Sequence, residues 1–298
     1  MKLILGTVQF GMPYGVLNTL GHQPGFEDVV SMLDYAWENK IRTLDSAIAY
    51  GIANQRIAEY HQKTKRRFNV INKIIRNPLR SLDEFKSVKI SMKEELRQMD
   101  LPHFEVIMLH YAPSVCKPFS HEHFYSLVEE GIALKIGLSI STEADYRLVE
   151  KDFQFNVIQL PLNILNQLLI PDSFLSELKN KGIEIHARSI FMQGLLASEN
   201  PYLPEYLQAL NPYLMKIKSL AVEHTMSLKT MALTFLMENK HVDKIVFGVQ
   251  STQELVEILD SFNEISHFKE GSIQIAWNKL ACPYFFLVDP NQWPMREK

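Results

Sequence analysis

With 298 residues the chain is long enough for one large domain around a full core, and a (β/α)8 barrel of about 250 residues plus a tail fits that length. Hydrophobic residues make up 46% and charged residues 22%, and the formal net charge of -3 lacks the basic excess that a general nucleic-acid or anionic-membrane surface requires, so neither kind of partner is expected. Two cysteines, Cys116 and Cys282, form neither a CxxC pair nor a disulfide framework, which fits a reducing, cytoplasmic setting.

The first apolar run, in MKLILGTVQFG, is too short for a signal peptide or a membrane span and reads as a strand over residues 2–5. An amphipathic helix over 28–38 follows, then strands over 42–44 and 70–74. A long helix over 82–98 carries Phe85, Val88, Met92, Leu96 and Met99 at three- and four-residue spacing, which gives it one apolar face. Further along come a strand over 106–109, a helix over 124–129, strands over 135–138 and 157–160, a helix over 173–179 and a strand over 183–187. The stretch from about 199 to 238, with Pro201, Pro204 and Pro212, reads as two helices before a last strand over 244–247 and a helix over 253–261. Eight strands alternating with helices imply right-handed parallel crossovers, and the expected fold is α/β, a single-domain (β/α)8 TIM barrel over 1–298. The tail from about 262 is expected to pack across one end.

In such a barrel the C-terminal ends of the strands meet at one mouth, where catalysis is built. Asp45 ends IRTLD, Tyr50 follows five residues later, Lys73 closes VINK and His110 closes VIMLH. These positions fall on the second, third and fourth strands, so they can converge. A lysine at the end of an apolar strand needs a counter-charge, because an isolated buried ammonium is costly, and Asp45 can supply it. A phenol is a poor acid at neutral pH, with an ordinary pKa of about 10, and an adjacent ammonium favours its anion. His110 can hydrogen-bond a carbonyl oxygen. Each residue alone also has an ordinary structural use: Asp45 as a turn residue, Tyr50 in packing, Lys73 reaching solvent from a strand end, His110 as a bonded core histidine.

Taken together, Asp45, Tyr50, Lys73 and His110, within LDSAIAYG, VINK and VIMLH, resemble the four-residue active site of the aldo-keto reductase superfamily. LGTVQFG is similar to that family's first strand, LKIGLS to its fifth, and HARSIFMQGLL and KIVFGVQSTQELVEIL to its cofactor-binding segments, so the resemblance runs from about Leu3 to Leu259. It implies NADP(H)-dependent reduction of an aldehyde or ketone to an alcohol, with Tyr50 as proton donor, Lys73 and Asp45 tuning it and His110 positioning the substrate. It also implies that Gly6 and Thr7 at the first strand, Ser139 and Gln159 at the nicotinamide carboxamide, and Arg188, Gly194, Gly248, Gln250 and Glu254 along the rest of the dinucleotide hold the cofactor. Bacterial members that the opening and the seventh-strand segment resemble suggest a sugar-type carbonyl substrate, which could be nucleotide-linked. The alternative within the superfamily is a nucleotide-sensing regulatory subunit with slow turnover.

The sequence departs from the family pattern in places. Ile140 follows Ser139 where many members have asparagine, and Arg188 stands where many have an aromatic residue that stacks on nicotinamide. A guanidinium there can stack, reach the pyrophosphate or form a structural ion pair. Gln250 and Glu254 occupy positions where a lysine or arginine would mark NADP preference, so NAD(H) stays open beside NADP(H). His121 and His123 form an HxH pair beyond Pro118, but helical geometry points the rings apart and no metal site is expected. Cys116 lacks an adjacent base and is expected to be inert. Trp277, Tyr284, Phe285, Phe286 and Trp293 in the tail are expected to pack over the barrel.

Overall fold

A computed structural model describes residues 2–16, 21–74, 81–111, 119–199, 201, 203–268 and 275–294, so the expectation for Cys116 lies outside the described residues. Eight strands, β1 (Leu3–Gly6), β2 (Thr43–Asp45), β3 (Asn69–Ile74), β4 (Phe104–Leu109), β5 (Ala133–Ser139), β6 (Val157–Pro161), β7 (Glu184–Arg188) and β8 (Lys244–Gly248), pair in parallel in chain order. β1 also pairs with β8, Leu3 opposite Ile245 and Gly6 opposite Gly248, and this closes the barrel. The surrounding helices are α1 (Val8–Gly11), α2 (Phe26–Glu38), α3 (Ala53–Lys63), α4 (Leu82–Met99), α5 (His121–Glu129), α6 (Glu143–Arg147), α7 (Asp172–Asn180), α8 (Asn211–Glu223), α9 (Leu228–Glu238), α10 (Thr252–Ser266) and α11 (Phe285–Val288).

Two apolar systems result. The outward faces of the strands and the inward stripes of the helices form the main core, to which α4 contributes the buried Phe85, Met92, Leu96 and Met99, with Val88 half-buried. Inside the barrel Ile4, Ile71, Val106, Met108, Val157 and Val246 make a separate plug. Because strand side chains alternate, the position two residues further along each strand lies on the same interior face, one layer nearer the mouth. That rule carries Ile4 to Gly6, Ile71 to Lys73, Val157 to Gln159 and Val246 to Gly248. Gly6, Lys73, Gln159 and Gly248, all candidate site residues, thus form the next layer of the barrel interior.

The sequence pattern misses α3 and α6. In α3 the buried positions are Ala53, Ile57, Ala58, Tyr60 and His61, so a stripe of small and polar residues replaces the usual aliphatic one. α6 is only five residues long. The strands also run further than their apolar runs: β2, β5, β7 and β8 end on Asp45, Ser139, Arg188 and Gly248, since the backbone ladder is indifferent to side-chain polarity.

The expectation that the tail aromatics pack holds for Trp293 but not for Tyr284, Phe285 and Phe286, which are 51%, 52% and 58% exposed. The short α11 buries Leu287 and Val288 and so turns its first two aromatics outward. Segment 275–294 is tied to the loop after β6: Cys282 N–H donates to Leu165 O at 2.9 Å, and Gln167 Nε2 to Trp277 O at 2.8 Å. His121 and His123 lie in the first turn of α5, where His123 Nδ1 accepts from Ser120 N–H at 3.3 Å. Among the described residues no group of His, Cys, Asp or Glu side chains could hold a metal ion, and no helix is long and apolar enough to cross a membrane.

Candidate active site

Lys73 and Asp45 meet at the mouth end of the interior, 1% and 3% exposed. Lys73 Nζ donates to Asp45 Oδ2 at 2.5 Å and to Ser46 O at 3.2 Å. Burial drives the ammonium toward neutrality, but the Asp45 carboxylate and, after it, the Tyr50 phenol outweigh that cost and hold its pKa above the ordinary lysine value. Lys73 therefore stays charged and does not reach solvent, and Asp45 is a strand residue with a fixed partner. Asp45 Oδ1 is engaged from the opposite side of the barrel by Gln159 Nε2 at 2.7 Å.

Tyr50 sits on the loop between β2 and α3. The Lys73 ammonium lies 5.1 Å from its ring centroid, and the His110 ring meets it edge-on with centroids 5.8 Å apart. The loop is fixed through its backbone. Ser46 N–H donates to Ile71 O, Ile48 N–H to Lys73 O, and Ala53 N–H to Tyr50 O. α1 presses on it from the other side: a Cβ on Gly11 would lie 1.8 Å from Tyr50 O, and one on Gly51, whose φ is +57°, would lie 2.3 Å from Gly11 O. Only glycines allow the two backbones to approach this closely. Behind the loop Ser46 Oγ donates to Asn54 Oδ1 at 2.6 Å, and Asn54 Nδ2 and Asn72 Nδ2 both donate to Glu95 Oε2, at 3.0 and 2.8 Å. Burial raises the Glu95 pKa, and these amide donors only partly offset it.

The four residues open into one cleft of about 1420 Å³ that runs from β2–β4 across the barrel to the loops after β7 and β8. Gly6, Thr7, Ser139, Gln159, Arg188, Gly194, Gly248, Gln250 and Glu254 all line it. Several carry local duties as well. Thr7 Oγ1 donates to Asp45 O at 3.1 Å and so pins the strand under the ion pair. Arg188 Nη2 donates to Ile140 O at 2.9 Å and Nη1 reaches Ser189 Oγ at 3.2 Å, so the guanidinium bridges the ends of β5 and β7 and pairs with no carboxylate among the described residues. Glu254 Oε2 accepts from Gln250 N–H at 2.8 Å, and its own N–H donates to Ser251 Oγ at 3.2 Å, which caps α10. Ser189, Met192 and Gln193 in the β7 loop hold left-handed backbone at φ of 57°, 46° and 54°.

Sequence reasoning missed Gln9, Lys229 and Glu257, which also line the cleft. Gln9 lies over Gly248, where a Cβ would come within 2.4 Å of Gln9 Oε1. Its position in LGTVQFG, directly after the first strand, was the available signal. The side-chain oxygens of Gln9, Gln159 and Gln250 are buried with no hydrogen-bond partner among the described residues. An unmet buried acceptor costs about 1–3 kcal/mol, so three around one cleft fit a ligand rich in N–H and O–H donors. The carboxamide and ribose hydroxyls of a nicotinamide dinucleotide are such donors.

The family model of the Aldo/keto reductase family matches residues 2–275. No curated protein sequence gives a significant match. Among solved structures, the holo form of aldo-keto reductase AKR11C1 from Bacillus halodurans superposes with a TM-score of 0.72 at 19% identity, covering 94% of this chain and 92% of its own. The glycerol dehydrogenase AKR11B4 from Gluconobacter oxydans gives a TM-score of 0.69 at 13% identity, covering 100% and 94%. At such identities the superpositions speak for the fold, whereas the family match spans nearly the whole sequence. The chain belongs to the aldo/keto reductase family.

Proposed function

We propose that this protein reduces an aldehyde or ketone to an alcohol with a nicotinamide dinucleotide held along the cleft, and that Tyr50 is the proton donor. The observation that carries the reading is the buried Lys73–Asp45 pair set against the Tyr50 ring, with His110 at the ring's edge. When bound, the reduced nicotinamide supplies the hydride. The chain's own residues do the rest. Tyr50 gives its proton to the carbonyl oxygen. The fixed Lys73 charge stabilises the phenolate that remains, and it costs no reorganisation because Asp45 already holds it in place. His110 directs the carbonyl oxygen toward Tyr50. Ser139 and Gln159 take the carboxamide, with the open Gln159 Oε1 as acceptor, and thereby choose which ring face is offered. Gly194, Gly248 and Gln250 line the path of the pyrophosphate and adenosine, where bare backbone N–H groups suit phosphate oxygens.

A sugar-type carbonyl is the substrate class we favour. Tyr14 and Tyr111 line the cleft and are 40% and 46% exposed, offering flat faces on which the C–H side of a polyol packs. The named activity of the Gluconobacter neighbour, glycerol dehydrogenation, belongs to the same chemical class. Titration with NADH and NADPH by fluorescence, followed by a panel of aldoses and small ketones, tests the proposal. Saturable binding with many turnovers per site is the expected result. Binding followed by one slow turnover would indicate the nucleotide-sensing alternative, and no binding would refute both.

A further inference from the structure

The part of the cleft beside α10 is acidic. There α10 presents Glu254 and Glu257 one turn apart, and Glu199 lines the same cleft. The one cationic side chain lining this part among the described residues is Lys229, and its ammonium is already bound to Glu257 Oε2 at 2.8 Å. The α10 N-terminus, whose positive dipole end would otherwise attract a phosphate, is served by the protein's own groups. Ser251 Oγ accepts from Glu254 N–H, and Glu254 Oε2 accepts from Gln250 N–H. Beside them Gln250 Oε1 is a buried acceptor with no partner among the described residues. The recognition groups here are acceptors, and the free charge is negative.

From this we infer that the adenosine end is built for a ribose with both hydroxyls free, so that the protein takes NAD(H) in preference to NADP(H), with Glu254 as the discriminating residue. The inference rests on the cofactor reading above and sharpens it. A ribose 2′-hydroxyl is a donor, which a carboxylate or a glutamine oxygen can accept. A 2′-phosphate has only acceptors and close to two negative charges at neutral pH, and it would meet Glu254 with no uncommitted cation to offset it. The same logic separates the two cofactors in doubly wound dehydrogenases, where an acidic residue holds the 2′-hydroxyl and an arginine the 2′-phosphate. The inference thus favours NAD(H), the alternative that the sequence left open, over the NADP(H) that the family resemblance implies.

The test is equilibrium binding, independent of turnover. NADH and NADPH are titrated against the protein by fluorescence, and 5′-AMP and 2′,5′-ADP by calorimetry, at fixed ionic strength. The expected result is at least about tenfold tighter binding of NADH than of NADPH, and of 5′-AMP than of 2′,5′-ADP, as like-charge juxtaposition demands. Glu254→Gln keeps an acceptor for Gln250 N–H and removes the charge, so it should narrow the gap, and Glu254→Lys should close or reverse it. Binding of NADPH as tightly as NADH, or an unchanged ratio in Glu254→Lys with NADH still bound, overturns this inference and leaves the cofactor reading intact. Binding of no nucleotide by the unaltered protein overturns both.

Discussion

Gln159 on β6 and Asp45 on β2 are 114 residues apart in sequence, yet the Gln159 amide donates to Asp45 Oδ1 at 2.7 Å across the barrel interior. One carboxylate thus holds Lys73 with one oxygen and Gln159 with the other. The ion pair and the proposed carboxamide site are therefore a single hydrogen-bonded unit. Gln159→Leu should unseat both. It strands Asp45 Oδ1 in the interior, which costs about 1–3 kcal/mol in urea unfolding, and it should weaken nucleotide binding about tenfold. Unchanged stability together with unchanged affinity would show that the two sites are independent.

Tyr50→Phe removes the proposed proton donor and keeps the ring that packs beside Lys73 and His110. Turnover should fall by about 10²–10⁴-fold, the usual worth of a positioned acid, with nucleotide affinity nearly intact. Steady-state kinetics beside a fluorescence titration separates the two quantities. Near-normal carbonyl reduction by this variant would defeat the assignment.

Gly11→Ala tests the contact that sets the Tyr50 loop. The added methyl would overlap Tyr50 O and come within 2.5 Å of Ala53 N, both backbone atoms with no soft way to yield. We expect turnover to drop at least about tenfold, with a stability loss of about 1–3 kcal/mol and the circular dichroism of a folded barrel retained. Wild-type kinetics in this variant would mean that the loop position is not critical.

His61 predicts a pH dependence of stability. Burial lowers its pKa to about 4, and its ring is held neutral between Met99 O at 2.8 Å and Phe68 N–H at 3.1 Å. With the folded value below the unfolded one, the unfolded chain binds a proton that the native state refuses between about pH 6.5 and 4. Native stability should accordingly fall as the pH drops through that window, by about 3 kcal/mol in full, and show no effect from this group above it. Urea midpoints for the wild type and His61→Gln, measured from pH 7.5 to 4.5, should converge toward the acid side. Parallel curves would exclude His61 as the source.

The layout of the barrel was legible in sequence because each strand is a short apolar run and each main helix carries an apolar stripe; both signals are local. The four residues Asp45, Tyr50, Lys73 and His110 were legible for a related reason. Asp45, Lys73 and His110 stand where apolar runs give way to polar side chains at the mouth end, Tyr50 follows on the loop after β2, and the resemblance to the aldo-keto reductase motif joined the four into one set. α3 was not legible, because a stripe of alanine, tyrosine and histidine carries little hydrophobic contrast.

Other relationships exist only in the closed barrel. That Gln159 braces Asp45, that Gln9 covers Gly248, that Gly11 sets the height of Tyr50, and that Lys229 is consumed by Glu257 all join residues from separate elements. The sequence by itself determined which residues form strands and helices and which polar groups lie at strand ends, since periodicity and polarity are properties of neighbours along a chain. The tertiary structure alone decided which buried donor meets which acceptor and which acceptors remain open. Those pairings depend on distances between backbones that only closure of the barrel fixes.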